Sequence, residues 1–165
     1  MALLKILIFP DPRLRTQAIP IKTVNESIKL LAKDMLETMY EGKGIGLAAT
    51  QVNIHKRIIV IDISENKNEP LILINPRVVR IIDPEEKSYS EGCLSVPGFY
   101  AEIKRPSSVE ISSLGINGKE QTLKVEGLLS IVIQHEIDHL DGKMMVDFIS
   151  NTKREMIRKK LVKAR

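Results

Sequence analysis

Two histidines stand four residues apart in the segment Gln134-His135-Glu136-Ile137-Asp138-His139-Leu140. On a helix, positions four apart lie one turn above the other, so both imidazoles can reach a single cation while Glu136 stands beside it as an acid or base. A His-Glu-x-x-His pattern can also sit idle on a solvated helix face. Here the apolar approach from Leu128 to Ile133 predicts a buried helix, and buried imidazoles and carboxylates need partners or a metal.

A hydrolytic metal generally takes three protein ligands and keeps one position open for water. No histidine follows His139, and Met145 stands where a metzincin would place its third. Three candidates remain. Glu155 lies inside a basic tail. His55 sits in the polar run Asn53 to Arg57, where a histidine is expected to be exposed. Cys93 lies in Glu91-Gly92-Cys93-Leu94-Ser95-Val96-Pro97, a loop able to offer both a thiolate and a free backbone N–H. An isolated cysteine is more often just a small buried apolar residue.

A third segment, Gly44-Ile45-Gly46-Leu47-Ala48-Ala49-Thr50-Gln51, superficially suggests a phosphate-binding loop. It has no preceding strand, no third glycine at dinucleotide spacing and no Lys-Ser/Thr pair, so a nucleotide site is set aside. Small residues here instead allow an extended ligand to approach the backbone, with the Gln51 amide as a donor.

The surrounding elements must position these groups. Ile28, Leu31, Ala32, Met35, Leu36 and Met39 mark one face of a helix over Val24 to Glu41, with Asn25 as N-cap and Gly42 and Gly44 at its end. Runs at Arg57–Ile63, Leu71–Ile74, Val78–Ile82, Val109–Ser112 and Gln121–Val125 read as strands, and Asn117-Gly118 as a hairpin turn. No helix-length crossover separates these runs, so the strands should be antiparallel. A second helix is predicted over Leu128–Leu140 and a third in the tail, where Ile157 and Leu161 are four apart.

At 165 residues, with 43% apolar and 28% charged, the chain is expected to form one globular domain over residues 1–165, without repeats. Residues Lys153 to Arg165 carry seven basic side chains against Glu155 alone; subtracting that excess of six from the net +4 leaves −2 for the rest. The basicity therefore belongs to a helical extension over residues 147–165, which argues against a DNA-binding surface spread over the domain. One cysteine, no secretory leader and no apolar run near the roughly 20 residues of a membrane helix point to a reducing, cytoplasmic setting away from the bilayer.

The three segments together resemble the signature motifs of peptide deformylases: GIGLAATQ at Gly44–Gln51, EGCLS at Glu91–Ser95 and QHEIDHL at Gln134–Leu140. The likeness extends to Pro10-Asp11-Pro12-Arg13-Leu14-Arg15 and Ile74-Asn75-Pro76, and so covers essentially the whole chain. It implies that Cys93, His135 and His139 hold one divalent metal, Fe2+ in most of the family with Zn2+, Ni2+ or Co2+ as substitutes. Glu136 would move the proton, and Gln51 and the Leu94 N–H would stabilise the oxyanion. Ile45, Gly46, Glu91, Leu128, Ile131 and Val132 would line the groove for the substrate, an N-formylmethionyl nascent peptide. The basic C-terminal helix resembles that of relatives that dock on the ribosome near the exit tunnel, and a monomer is expected. Ser130 departs from the alanine of many relatives.

Two other readings share the helix motif: an endopeptidase of the zincin type, and a binding module with a purely structural metal, which would need a closed four-ligand site. The expected fold is α+β, with antiparallel sheets around a buried helix that carries the histidines.

Overall fold

The computed structural model describes residues 2–165. It contains three helices, α1 (Glu26–Glu41), α2 (Gly127–Leu140) and α3 (Asn151–Lys163), and five strands: β1 (Gly46–Ala48), β2 (Ile58–Ile61), β3 (Leu71–Gly92), β4 (Tyr100–Leu114) and β5 (Glu120–Glu126). The strands form one antiparallel sheet in chain order, where several sheets had been expected. The α+β class and the antiparallel pairing are as the residue patterns predict.

Strand β2 explains why the sheet stacks helices on both sides. Its four residues are all buried. Ile58 and Val60 pack with Ile28, Ala32, Met35 and Met39 of α1, while Ile59 and Ile61 pack with Val132, Ile133, Ile137 and Leu140 of α2. Alternation along a strand sends neighbours to opposite faces, so a continuous apolar run is what a strand between two helices requires. A third cluster joins Leu7, Phe9 and Val96 to Met144, Met145, Ile157 and Leu161, anchoring α3 by its inner face.

Helix boundaries follow the predicted signals. The Asn25 side chain accepts from the Ile28 N–H at 3.0 Å and so caps α1. Gly127, at φ +64°, turns the chain directly out of β5 into α2, a conformation that costs glycine little. At the far end Gly142 has φ +77°, and a Cβ there would lie 2.5 Å from the Arg15 carbonyl oxygen. Helix α2 is thus set between two positions that only glycine fills without strain.

Three features differ from the expectation. The runs at Leu71–Ile74 and Val78–Ile82 are parts of a single 22-residue strand that continues to the cysteine loop, with register shifts between Ile74 and Glu86 absorbing Pro76 and Pro84. The glycine-rich segment contains a short strand, β1, pairing Gly46 with Ile61 and Ala48 with Ile59. Strand β4 begins at Tyr100, nine residues before the predicted run.

Candidate active site

The sheet and α2 bring the three sequence segments to one place. Strand β3 ends at Gly92 and delivers Cys93 into a turn, held by Val96 N–H donating to the Cys93 carbonyl and by Phe9 N–H donating to the Ser95 carbonyl. Helix α2 presents His135 and His139 from its buried face, their ring centroids 5.0 Å apart. Cys93 Sγ lies 3.3 Å from His139 Nε2, and one ligand atom from each of Cys93, His135 and His139 falls within 4.8 Å of the others. Among the described residues this is the one group of three or more His, Cys, Asp or Glu so placed. His55 is elsewhere and partly buried, with Nε2 beside Asn53 Oδ1; Glu155 pairs with Arg158 on α3.

Does this set fit a cation? The donors are one sulfur and two imidazoles, a set suited to zinc, iron and similar divalent ions. Glu91 lies 2.8 Å from His135 Nδ1; as an ionised acceptor it makes Nδ1 the donor and leaves Nε2 free for a ligand. Burial works against a charge on His135, yet Glu136, Cys93 and Glu91 outweigh it and hold its pKa well above the usual value. The Glu91 carboxylate that favours a proton on His135 would equally be an anionic neighbour to a cation bound beside it. Burial and then the neighbouring His135 hold His139 well below its ordinary pKa, so it offers a neutral lone pair. Among the described residues the group has no fourth His, Cys, Asp or Glu, so a four-coordinate cation held there would leave a place for water or substrate.

Glu136 and Gln51 line the same cavity as Cys93 and His135. Glu136 is 4% exposed, its Oε1 has no protein partner, and burial pushes its pKa up to about 7, within range of proton exchange at neutral pH. Gln51 Oε1 accepts from the Ala48 N–H at 2.9 Å, which fixes the amide so that its NH2 must point inward. That nitrogen donates to Ser95 Oγ at 3.0 Å and lies 3.5 Å from Cys93 Sγ.

These groups border a cavity of about 500 Å³ that Ile45, Gly46, Leu94, Leu128, Ile131 and Val132 also line. Ile45 and Leu128 are exposed; Ile131 and Val132 are buried. Gly46 is needed for close approach, because a Cβ there would meet Glu136 Oε2 at 2.5 Å and Val132 Cγ1 at 2.9 Å. Glu91, expected to border the substrate groove, does line this cavity, and its carboxylate oxygens are engaged by Arg105 and His135.

A family model described as polypeptide deformylase matches residues 3–155. The chain belongs to the peptide deformylase family. It is 59% identical to the peptide deformylase of Teredinibacter turnerae, over 99% of this chain and 96% of the relative, and 55% identical to that of Pseudomonas aeruginosa over the same shares. Among solved structures, the peptide deformylase of Legionella pneumophila superposes with a TM-score of 0.92 at 46% identity, covering 98% of this chain and 95% of that one. The Ehrlichia chaffeensis enzyme in complex with actinonin gives 0.95 at 39%, covering 99% and 98%. Peptide deformylases are metal-dependent hydrolases that remove the N-formyl group from nascent peptides, and a Cys-His-His cluster able to bind a metal accords with that chemistry. The endopeptidase reading is thereby set aside.

Sequence reasoning passed over Ser95, Asp138 and above all Arg105. Arg105 is 5% exposed, on the inward phase of β4 between Ile103 and Ser107. A cation in the apolar phase of an alternating strand demands buried anionic partners, and that signal is read only once the strand's full length is known.

Proposed function

We propose that Cys93, His135 and His139 are the metal ligands, that Glu136 is the proton carrier, and that Gln51 with the Leu94 N–H forms the oxyanion site. The observation that carries this reading is the convergence of three ligand atoms beside the unpartnered Glu136 Oε1 and the oriented Gln51 amide. A divalent cation held there would supply Lewis acidity, lowering the pKa of a water and polarising the formyl carbonyl. Glu136 takes a proton from the attacking water and returns it to the departing amine. The Gln51 amide and the Leu94 N–H donate to the formyl oxygen as negative charge builds on it. Ile45 and Gly46 offer backbone to an extended peptide, and Leu128, Ile131 and Val132 accept the methionine side chain and exclude water.

The resident ion in this reading is ferrous iron, replaceable by zinc, nickel or cobalt; family resemblance favours iron, and the donor set accommodates each of them. The test is formate release from a formyl-Met peptide beside an acetyl-Met peptide, in wild type and Gln51→Ala. Loss of one oxyanion donor costs about 2.7–4 kcal/mol, so kcat should fall roughly 10²–10³-fold with metal content unchanged. Unchanged kcat would remove Gln51 from the mechanism.

The same reading extends to a monomeric, cytoplasmic enzyme whose residues 1–165 form one catalytic domain, with α3 docking on the ribosome. Among the described residues no helix is long and apolar enough to cross a membrane. Supporting the docking, Ile157 and Leu161 are buried while Lys153, Lys159, Lys160 and Lys163 are exposed, leaving a cationic outer face. Deleting the helix would uncover the core, so charge reversal is the cleaner probe. Lys153→Glu, Lys159→Glu and Lys163→Glu combined should weaken ribosome co-sedimentation and lower its salt slope by up to about three, while peptide deformylation is unchanged. Wild-type co-sedimentation in this variant would end the docking proposal.

A further inference from the structure

The cysteine that would ligate the metal and the two histidines come from different elements, and one guanidinium joins those elements. Arg105, on β4, donates from Nε to Glu91 Oε2 at 2.6 Å and from Nη2 to Glu91 Oε1 at 3.0 Å. Its Nη1 donates to Asp138 Oδ2 at 2.8 Å. Glu91 stands two residues before Cys93 and accepts from His135 Nδ1; Asp138 stands on α2 between His135 and His139. The Phe148 ring covers the guanidinium, with Cζ 5.0 Å from the ring centroid. Each of the three guanidinium nitrogens therefore donates to a carboxylate, and their directions match two carboxylates held at fixed angles, a geometry that an ammonium group cannot reproduce.

We infer that Arg105 is a positioning residue for the metal centre, a three-way tie that sets the distance between the cysteine loop and the histidine helix. Glu91 alone would orient His135 but could not fix where its own strand end lies relative to α2. The link to Asp138 adds that constraint, because any slide of α2 along the loop must break either the Nη1 bond or the Glu91 fork. The burial of Arg105 and Glu91 lets the tie hold one geometry without competition from water.

This inference rests on the ligand assignment proposed above, and its test separates the two. Arg105→Lys keeps the charge and loses the fork, Asp138→Asn keeps the shape and weakens the tie to α2, and Arg105→Met removes both. Each is loaded with Co2+, and three quantities are read: the thiolate-to-cobalt absorption, the rate of cobalt transfer to a chelator, and the unfolding midpoint of the metal-free protein. Loss of a group supporting a ligand typically costs 10–100-fold in metal affinity, so Arg105→Lys and Asp138→Asn should release cobalt roughly 10–100-fold faster with an altered spectrum. A merely structural role would lower the midpoint and leave spectrum and release as in wild type, and that result overturns the inference. If Arg105→Met fails to fold, the other two variants decide. If wild type itself shows no thiolate-to-cobalt absorption, the ligand assignment has failed and this inference falls with it.

Discussion

Glu136→Gln should lower kcat on a formyl-Met peptide by roughly 10²–10⁴-fold, the range that general acid–base catalysis contributes, while bound metal stays at the wild-type level. Glutamine matches the shape and can still hydrogen-bond, but it cannot take up a proton. The carboxylate lies deep in the site, beside the Gly46 backbone, with Oε1 aimed at no protein donor. Burial has already raised its pKa to about 7, so it can accept a proton from water and surrender it to an amine. A variant that loses its metal would make Glu136 a ligand or a structural support, and one with unchanged kcat would end its role as proton carrier.

Cys93→Ala should act through a different quantity. A four-ligand zinc site of about 10–16 kcal/mol shares out to roughly 2.5–4 kcal/mol per donor, so losing one ligand predicts roughly 10²–10³-fold weaker metal binding. Activity at stoichiometric metal should fall with it, and excess metal should restore only part. Cys93 Sγ also sits 3.5 Å from the Gln51 amide nitrogen and 3.3 Å from His139 Nε2, so its removal loosens the proposed ligand cluster and the proposed oxyanion donor together. The two single variants separate the roles: Glu136→Gln changes kcat at fixed metal, whereas Cys93→Ala changes metal retention first. Metal retention as in wild type in Cys93→Ala would mean that the third donor comes from another group.

Helix α2 was legible from the sequence because its evidence is local. The spacing of His135 and His139, the apolar approach and the glycines at 127 and 142 all lie within one segment, and the structure adds only which glycine conformations they take. The choice of Cys93 was not local. It lies 42 residues before His135, no spacing rule joins a β-turn to a distant helix, and the residues alone left His55 and Glu155 open beside it. Motif resemblance, and then the geometry, brought Cys93 forward.

Strand β3 shows a different limit. Its middle stretch, from Arg77 to Ile82, is exposed, and Pro76 and Pro84 interrupt it, so the alternation that marks a half-buried strand is missing although pairing with β4 continues. Pairing partners decide such a strand, and they are remote in sequence. Arg105 shows the same limit: the strand predicted from the sequence began at Val109, so the inward phase of Arg105 emerges only with the full length of β4, and its carboxylates, Glu91 and Asp138, belong to two other elements.

Cobalt loading of the wild-type chain is the most direct measurement of whether Cys93, His135 and His139 hold a single ion. The expected result is one Co2+ per chain with a thiolate-to-cobalt charge-transfer absorption that disappears in Cys93→Ala. A cobalt-active deformylase lacking that absorption, or keeping it unchanged in Cys93→Ala, would contradict the account.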